Sequence, residues 1–175
     1  MNKSAASLKV ALTDHAACIK VSGRANFTCS LDFKRLIHEL SERGCTHLVL
    51  DLSDCIIMDS TFLGMLAGLG LQYFGNERPD DSKVELLNPN PRICDLLENL
   101  GVAHLFNITY ADRLPEEQFE DRGSDTESSR IDLARTSLEA HRTLMDLDPR
   151  NVAKFKDVTQ FLAEDLKKLE KKENP

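Results

Sequence analysis

Long hydrophobic runs are missing from this 175-residue chain. No apolar stretch approaches the roughly 20 residues of a membrane-spanning helix, so no spanning helix is expected. The opening residues, Met1-Asn2-Lys3-Ser4-Ala5-Ala6-Ser7, lead into no apolar stretch of signal-peptide length. A cytoplasmic location is the expectation. Positive charge is also in short supply: 22 Lys and Arg stand against 29 Asp and Glu, a net charge of -7. A nucleic-acid backbone needs a basic patch, so no direct nucleic-acid partner is expected. The pairs Lys167-Lys168 and Lys171-Lys172 sit near the end of an expected helix, where cations suit the helix dipole.

Cys-x-x-Cys spacing is absent. The five cysteines (Cys18, Cys29, Cys45, Cys55, Cys94) are odd in number and widely spread, which argues against a disulfide framework or a zinc site. They read as reduced, mostly buried small hydrophobes. The five histidines lack metal-ligand spacing as well. No cofactor and no metal are expected. Enzyme signatures are missing too. There is no Gly-x-x-x-x-Gly-Lys-Ser/Thr loop and no Gly-x-Ser-x-Gly elbow. Cys55 has no evident base or cation to make it a thiolate. Asp51 and Asp54 follow a strand, but the acidic pair of an aspartyl-phosphate receiver is not there. A catalytic site is therefore not expected.

What the sequence does contain is a regular alternation of strands and helices. Hydrophobic residues make up 41% of it and charged residues 29%, the balance of a globular domain. Leu8 to Leu12 alternates as a half-buried strand does, and Ala17 to Val21 reads as its hairpin partner, ended by Gly23. From about Leu31 an apolar stripe (Leu31, Phe33, Leu36, Ile37, Leu40) marks a helix that Gly44 stops. Thr46 to Leu52, with its run Leu48-Val49-Leu50, suits a strand covered on both faces. Ser60 to about Phe74 is the clearest helix, and Gly75-Asn76-Glu77-Arg78-Pro79 reads as a loop. Val84 to Leu87 is a strand. Pro91 opens a helix that Gly101 ends, Phe106 to Tyr110 is a last short strand, and Leu114 to Phe119 a helical turn. Single helices between strands imply crossovers. The expected fold is α/β: a mixed, mostly parallel β-sheet with covering helices, plus a C-terminal helical hairpin.

The expected domain spans 1–119. Residues 120–130 carry no large apolar side chain and read as an acidic polar linker outside the sheet. Residues 131–173 read as the separable hairpin. Its first stripe is Ile131, Ala134, Leu138 and Met145, with His141 among them. Asp148-Pro149 starts its second helix, striped by Phe155, Leu162 and Leu169. These stripes need burial: a homodimer through the tail is the preferred reading, docking on the same chain the other.

The segment from Leu48 to Gly64 carries the chemistry. A buried strand leads to a short loop that ends in Asp59-Ser60-Thr61, and an apolar helix follows at once. One of the three can serve as an ordinary cap for unpaired helix N–H groups. The helix itself has more apolar surface than one sheet can bury, with Phe62, Met65 and Leu66 among it. Gly64, Gly68 and Gly70 suit close backbone approach, on the sheet or on a partner.

Val49-Leu50-Asp51-Leu52 followed by Met58-Asp59-Ser60-Thr61-Phe62-Leu63-Gly64 resembles the signature of STAS domains. More narrowly, it resembles bacterial anti-sigma factor antagonists of the sporulation and general-stress type. Val21-Ser22-Gly23-Arg24, Leu87 to Ile93 and Leu100 to Phe106 agree in order and spacing, so the resemblance covers about 7–119. It implies phosphorylation at Ser60 by a partner serine kinase that is also the anti-sigma factor, and reversal by a serine phosphatase. It implies partner binding around Asn26, Asp59 and Thr61, and the excess apolar surface of the helix adds Phe62, Met65 and Leu66 as expected contact residues. Phe62 departs from the family's usual glycine. A STAS scaffold or sensor module not acting on a sigma factor is the alternative.

Overall fold

The computed structural model describes residues 6–74, 84–122 and 129–174. The expected loop at Gly75–Pro79 and residues 123–128 of the expected linker lie outside the described residues. Strands β1 (Ser7–Leu12) and β2 (Ala16–Ala25) pair antiparallel, with Leu8 opposite Val21 and Val10 opposite Ile19. Helix α1 (Phe27–Glu42) follows, then β3 (His47–Asp51), β4 (Cys55–Met58) and α2 (Ser60–Phe74). Strand β5 (Val84–Leu87), α3 (Pro91–Asn99), β6 (Asn107–Thr109) and β7 (Glu120–Asp121) complete the sheet layer. Helices α4 (Arg130–Leu147) and α5 (Arg150–Glu173) form the C-terminal hairpin. The sheet order is β6-β5-β3-β2-β1-β7; β3, β5 and β6 run parallel to β2 and each other, and the β1 pairings are antiparallel.

Three expectations change. Strand β2 continues past Gly23, where a positive φ of 78° and a register shift turn the chain. That extra length pairs with β4, which the sequence reading left as loop: Gly23 lies opposite Cys55 and Ala25 opposite Met58. Helix α1 begins at Phe27, not near Leu31, because Asn26 caps it through the Thr28 N–H (3.1 Å). Finally, Glu120 and Asp121 belong to the sheet, opposite Val10 and Lys9. The expected linker therefore does not start at 120. Its lack of apolar side chains was no obstacle, since an edge strand is held by backbone hydrogen bonds.

The return of the chain to β1 covers a charge. Lys20 lies in β2 with only 7% of its surface exposed. Its ammonium meets Glu116 at 2.6 Å and Asp54 at 3.1 Å, and lies 5.8 Å from the centre of the Phe119 ring. Lys9 donates to the same Glu116 carboxylate at 2.6 Å. Hydrogen bonds from Lys20 and then Lys9 pull the Glu116 carboxyl down from 4.5 to about 2.

The hairpin docks on its own domain at two places. Helix α4 packs on α2 and α1. The α4–α5 turn packs on the end of α3: Asn151, fully buried, donates to Leu100 O (2.9 Å) and Leu144 O (2.8 Å), and Lys154 donates to Asn99 O (3.0 Å). Gly101, at φ 69°, leaves room there for the Asp148 carboxylate. Helix α2 is thus covered on two sides, and this decides the fate of its apolar residues. Phe62 and Leu66 are fully buried, Phe62 with its ring centre 4.9 Å from that of Phe33. In this arrangement neither offers surface to a partner. The expected contact role is corrected to a core role for both, because the helix has a second layer over it.

Two outcomes follow. Phe62→Ala is expected to lose about 3–5 kcal/mol of stability, the cost of truncating a buried aromatic, measured by urea unfolding; a loss under about 1 kcal/mol would place the ring at a surface. Glu116 has a folded-state pKa below its ordinary value, so its contribution is present above about pH 4.5 and lost as pH falls through about 2. Glu116→Gln should melt earlier at pH 7 and flatten the melting profile over that acid window. An unchanged profile would separate Glu116 from acid stability.

Candidate functional site

The site is built where two helices start side by side. Strand β4 ends at Met58, and the Asp59 N–H donates to Ala25 O (2.9 Å) at the end of β2. The Asp59 carboxylate then accepts from both helices: Oδ1 from the Phe62 N–H of α2 (2.8 Å), Oδ2 from the Phe27 N–H of α1 (2.7 Å). Asp59 is therefore the cap of α2 and the clamp between the two N-termini. Asn26 caps α1, its Oδ1 also accepting the Thr28 hydroxyl at 2.6 Å. Ser60 is the first residue of α2, half-buried, with a hydroxyl free of any capping task. Phe27, beside Asp59, is 48% exposed and was not expected in the site.

Three contacts tie this corner to α4. Ser60 Oγ lies 2.8 Å from His141 Nε2. His141 Nδ1 lies 2.6 Å from the Ser137 carbonyl. A carbonyl only accepts, so Nδ1 carries the proton. In the neutral ring Nε2 is then the acceptor, and Ser60 donates. The His141 ring is buried and is held edge-on by Phe155 of α5, with centres 5.1 Å apart. Thr61, also buried, shares a 2.9 Å hydrogen bond with the Ser137 hydroxyl. One turn on, Gly64 presses against Ala140. A Cβ built on Gly64 would collide with Ala140's carbonyl oxygen, and would lie 2.6 Å from its carbonyl carbon and 2.7 Å from its Cβ.

The other glycines of α2 behave differently. A Cβ on Gly70 would lie 2.9 Å from Leu105 Cβ, so Gly70 serves packing within the domain; Gly68 faces open space. Gly68 and Met65 line a groove of about 310 Å³ along the seam of α1, α2 and α4, with Lys34 and Glu139 bridged at 3.1 Å beside it.

Of the residues singled out in the sequence, Asn26, Asp59, Ser60 and Thr61 gather at this corner, Met65 lines the groove, and Phe62 and Leu66 lie beneath. His141 and Ser137 were missed as site residues. The only hint was a histidine inside an apolar stripe. Burial pushes the Cys18, Cys29 and Cys55 thiols up to about 11, and raises Cys45 as well, which disfavours the thiolate at these four. Among the described residues no group of three His, Cys, Asp or Glu could hold a metal ion, and no helix is long and apolar enough to cross a membrane.

Comparison with known proteins follows the same outline. A family profile described as "Mlab, STAS domain" matches residues 8–109. Among solved structures, the unphosphorylated anti-sigma factor antagonist SpoIIAA superposes with a TM-score of 0.51 at 18% identity, covering 63% of this chain and 90% of its own. An anti-sigma factor antagonist from Mycobacterium paratuberculosis gives 0.50 at 17% identity, covering 60% of this chain and 86% of its own. No curated protein sequence matches. The profile ends before the hairpin begins. Over residues 8–109, more than half of its length, this chain belongs to the STAS domain family.

Proposed function

We propose that the protein is an anti-sigma factor antagonist, a non-enzymatic binding protein switched at Ser60. A partner serine kinase, which is also the anti-sigma factor, phosphorylates Ser60, and a serine phosphatase resets it. The observation that carries this reading is the place of Ser60: first residue of α2, half-buried, with Asp59 doing the capping so that the hydroxyl is left for other chemistry. The neighbours of the fold support the class, since both superposed structures are described as anti-sigma factor antagonists.

The physics of the switch is local. A phosphoserine adds about -1.5 to -2 charges at neutral pH. The start of a helix tolerates that charge through its N–H groups and dipole. A partner surface docked on the same corner does not, because it must desolvate the phosphate next to Asp59 and Phe27. The contact set on this reading is Asn26, Asp59 and Met65 around Ser60, with exposed Phe27 added; Thr61 joins it only where α4 is displaced, since it is buried against Ser137.

A scaffold or sensor module that never meets a sigma factor is the second reading. Its support is the bond from Ser60 to His141, which gives the hydroxyl a structural partner within the chain. The homodimer through the tail has less support, since α4 is spent on α2; only exposed residues of α5 such as Val158 and Phe161 are left for a second copy. Light scattering of the full chain decides that point, and a monomer would remove it.

The main test is phosphorylation. Incubation with the serine kinase encoded nearest the gene, and ATP, should place one phosphate on Ser60, read by mass spectrometry. Ser60→Ala should retain partner binding, and Ser60→Asp should weaken it at least tenfold, about 1.4 kcal/mol. Equal affinities, or modification confined to the serines and threonines of 124–129, would overturn the switch.

A further inference from the structure

We infer that the C-terminal hairpin is a tethered stand-in for the partner: α4 occupies in cis the Ser60 corner of α2, and a phosphate on Ser60 expels it. This rests on the reading of that corner as the partner surface. The family match stops at residue 109, so the hairpin lies outside the matched segment. It is added at the place where the switch residue lies.

The fit is specific. Ser137, Ala140, His141 and Leu144 form one face of α4 at helical spacing. The first three meet Thr61, Gly64 and Ser60 in turn. The three atoms nearest to a Cβ built on Gly64 all belong to Ala140, two of them backbone. The surface of α2 thus fits a helix carrying a small residue flanked by hydrogen-bonding side chains. The chain supplies such a helix itself, and α5 steadies it by holding the His141 ring against Phe155.

Ser60 donates to a neutral His141 whose other nitrogen is already committed to the Ser137 carbonyl. The Ser60 hydroxyl and His141 Nε2 are 2.8 Å apart, with His141 and Thr61 buried on either side. A phosphate on Ser60 Oγ has to occupy that space, and the seam as it stands has no room for the group and its hydration. The bulk and charge that exclude a partner therefore displace α4.

The experiment uses the full chain with phosphoserine installed at position 60 during translation, so no kinase enters. Hydrogen exchange is followed at the amides of 131–144 and, as an internal control, of 17–21 and 48–50. Ala140→Leu provides the open reference, since it blocks the seam from the hairpin side and leaves α2 intact. Phosphoserine-60 and Ala140→Leu should each exchange at least tenfold faster than wild type through α4, with the strand amides unchanged. Wild-type exchange in phosphoserine-60 would overturn the inference. So would a wild type already exchanging at the Ala140→Leu rate, or acceleration that spreads to the strands. A Ser60 that no kinase modifies would instead sink the proposed function and leave the exchange result in place.

Discussion

Helix α2 has to be covered on two sides, and most of this molecule is arranged to do so. Its sequence from Phe62 to Leu71 is apolar nearly all round, and burial of such side chains is worth about 1.5–3 kcal/mol each. The sheet takes one side through β5, and α1 the flank through Phe33. A second side remains. Here α4 lies on it, and Gly64 sets how closely the two helices approach. The hairpin turn is pinned elsewhere, at the carbonyls of α3, so α4 is held in register along α2 from its far end. Asn151 accepts a cost for that position, since its Oδ1 is buried without a partner among the described residues.

The second constraint is the capping of two helices by one carboxylate. Because Asp59 serves both α1 and α2, the start of α2 is fixed to β2 and α1 without help from Ser60. A hydroxyl that caps a helix cannot be modified without fraying it. A hydroxyl next to the cap can. Holding is thus assigned to Asp59, and a charge on the serine would leave both caps in place.

Much of this was legible in the residues. The run Leu48-Val49-Leu50 and the polar start of the apolar helix located β3 and α2 and gave Ser60 its place. Period and punctuation located the hairpin helices, with Asp148 at their turn. What could not be read were contacts between distant segments. Strand β4 reads as loop because four residues have no period of their own and pair only with the extension of β2 past Gly23. Strand β7 reads as linker because two backbone pairings leave no mark on side-chain choice. Phe62 and Leu66 looked like surface for a partner because the sequence shows an excess of apolar area but not what covers it. The excess was read correctly and the cover was placed in another molecule. His141 shows the same limit: a histidine in an apolar stripe says that something polar faces it, and only the fold says that this is Ser60, 81 positions away.

Covering the corner in cis changes the quantities that matter for signalling. A tethered competitor acts at an effective concentration that dilution does not change. An outside partner then binds only the open fraction, and its apparent affinity falls in proportion to that fraction. The fall is the same for every partner, so the cis contact sets a threshold for binding without choosing among partners. On the proposed switch, a phosphate on Ser60 would exclude α4 and a partner together, because both must lay a desolvated surface over the same oxygen. Its removal would return the corner first to α4, which is part of the same chain, and only then to a partner.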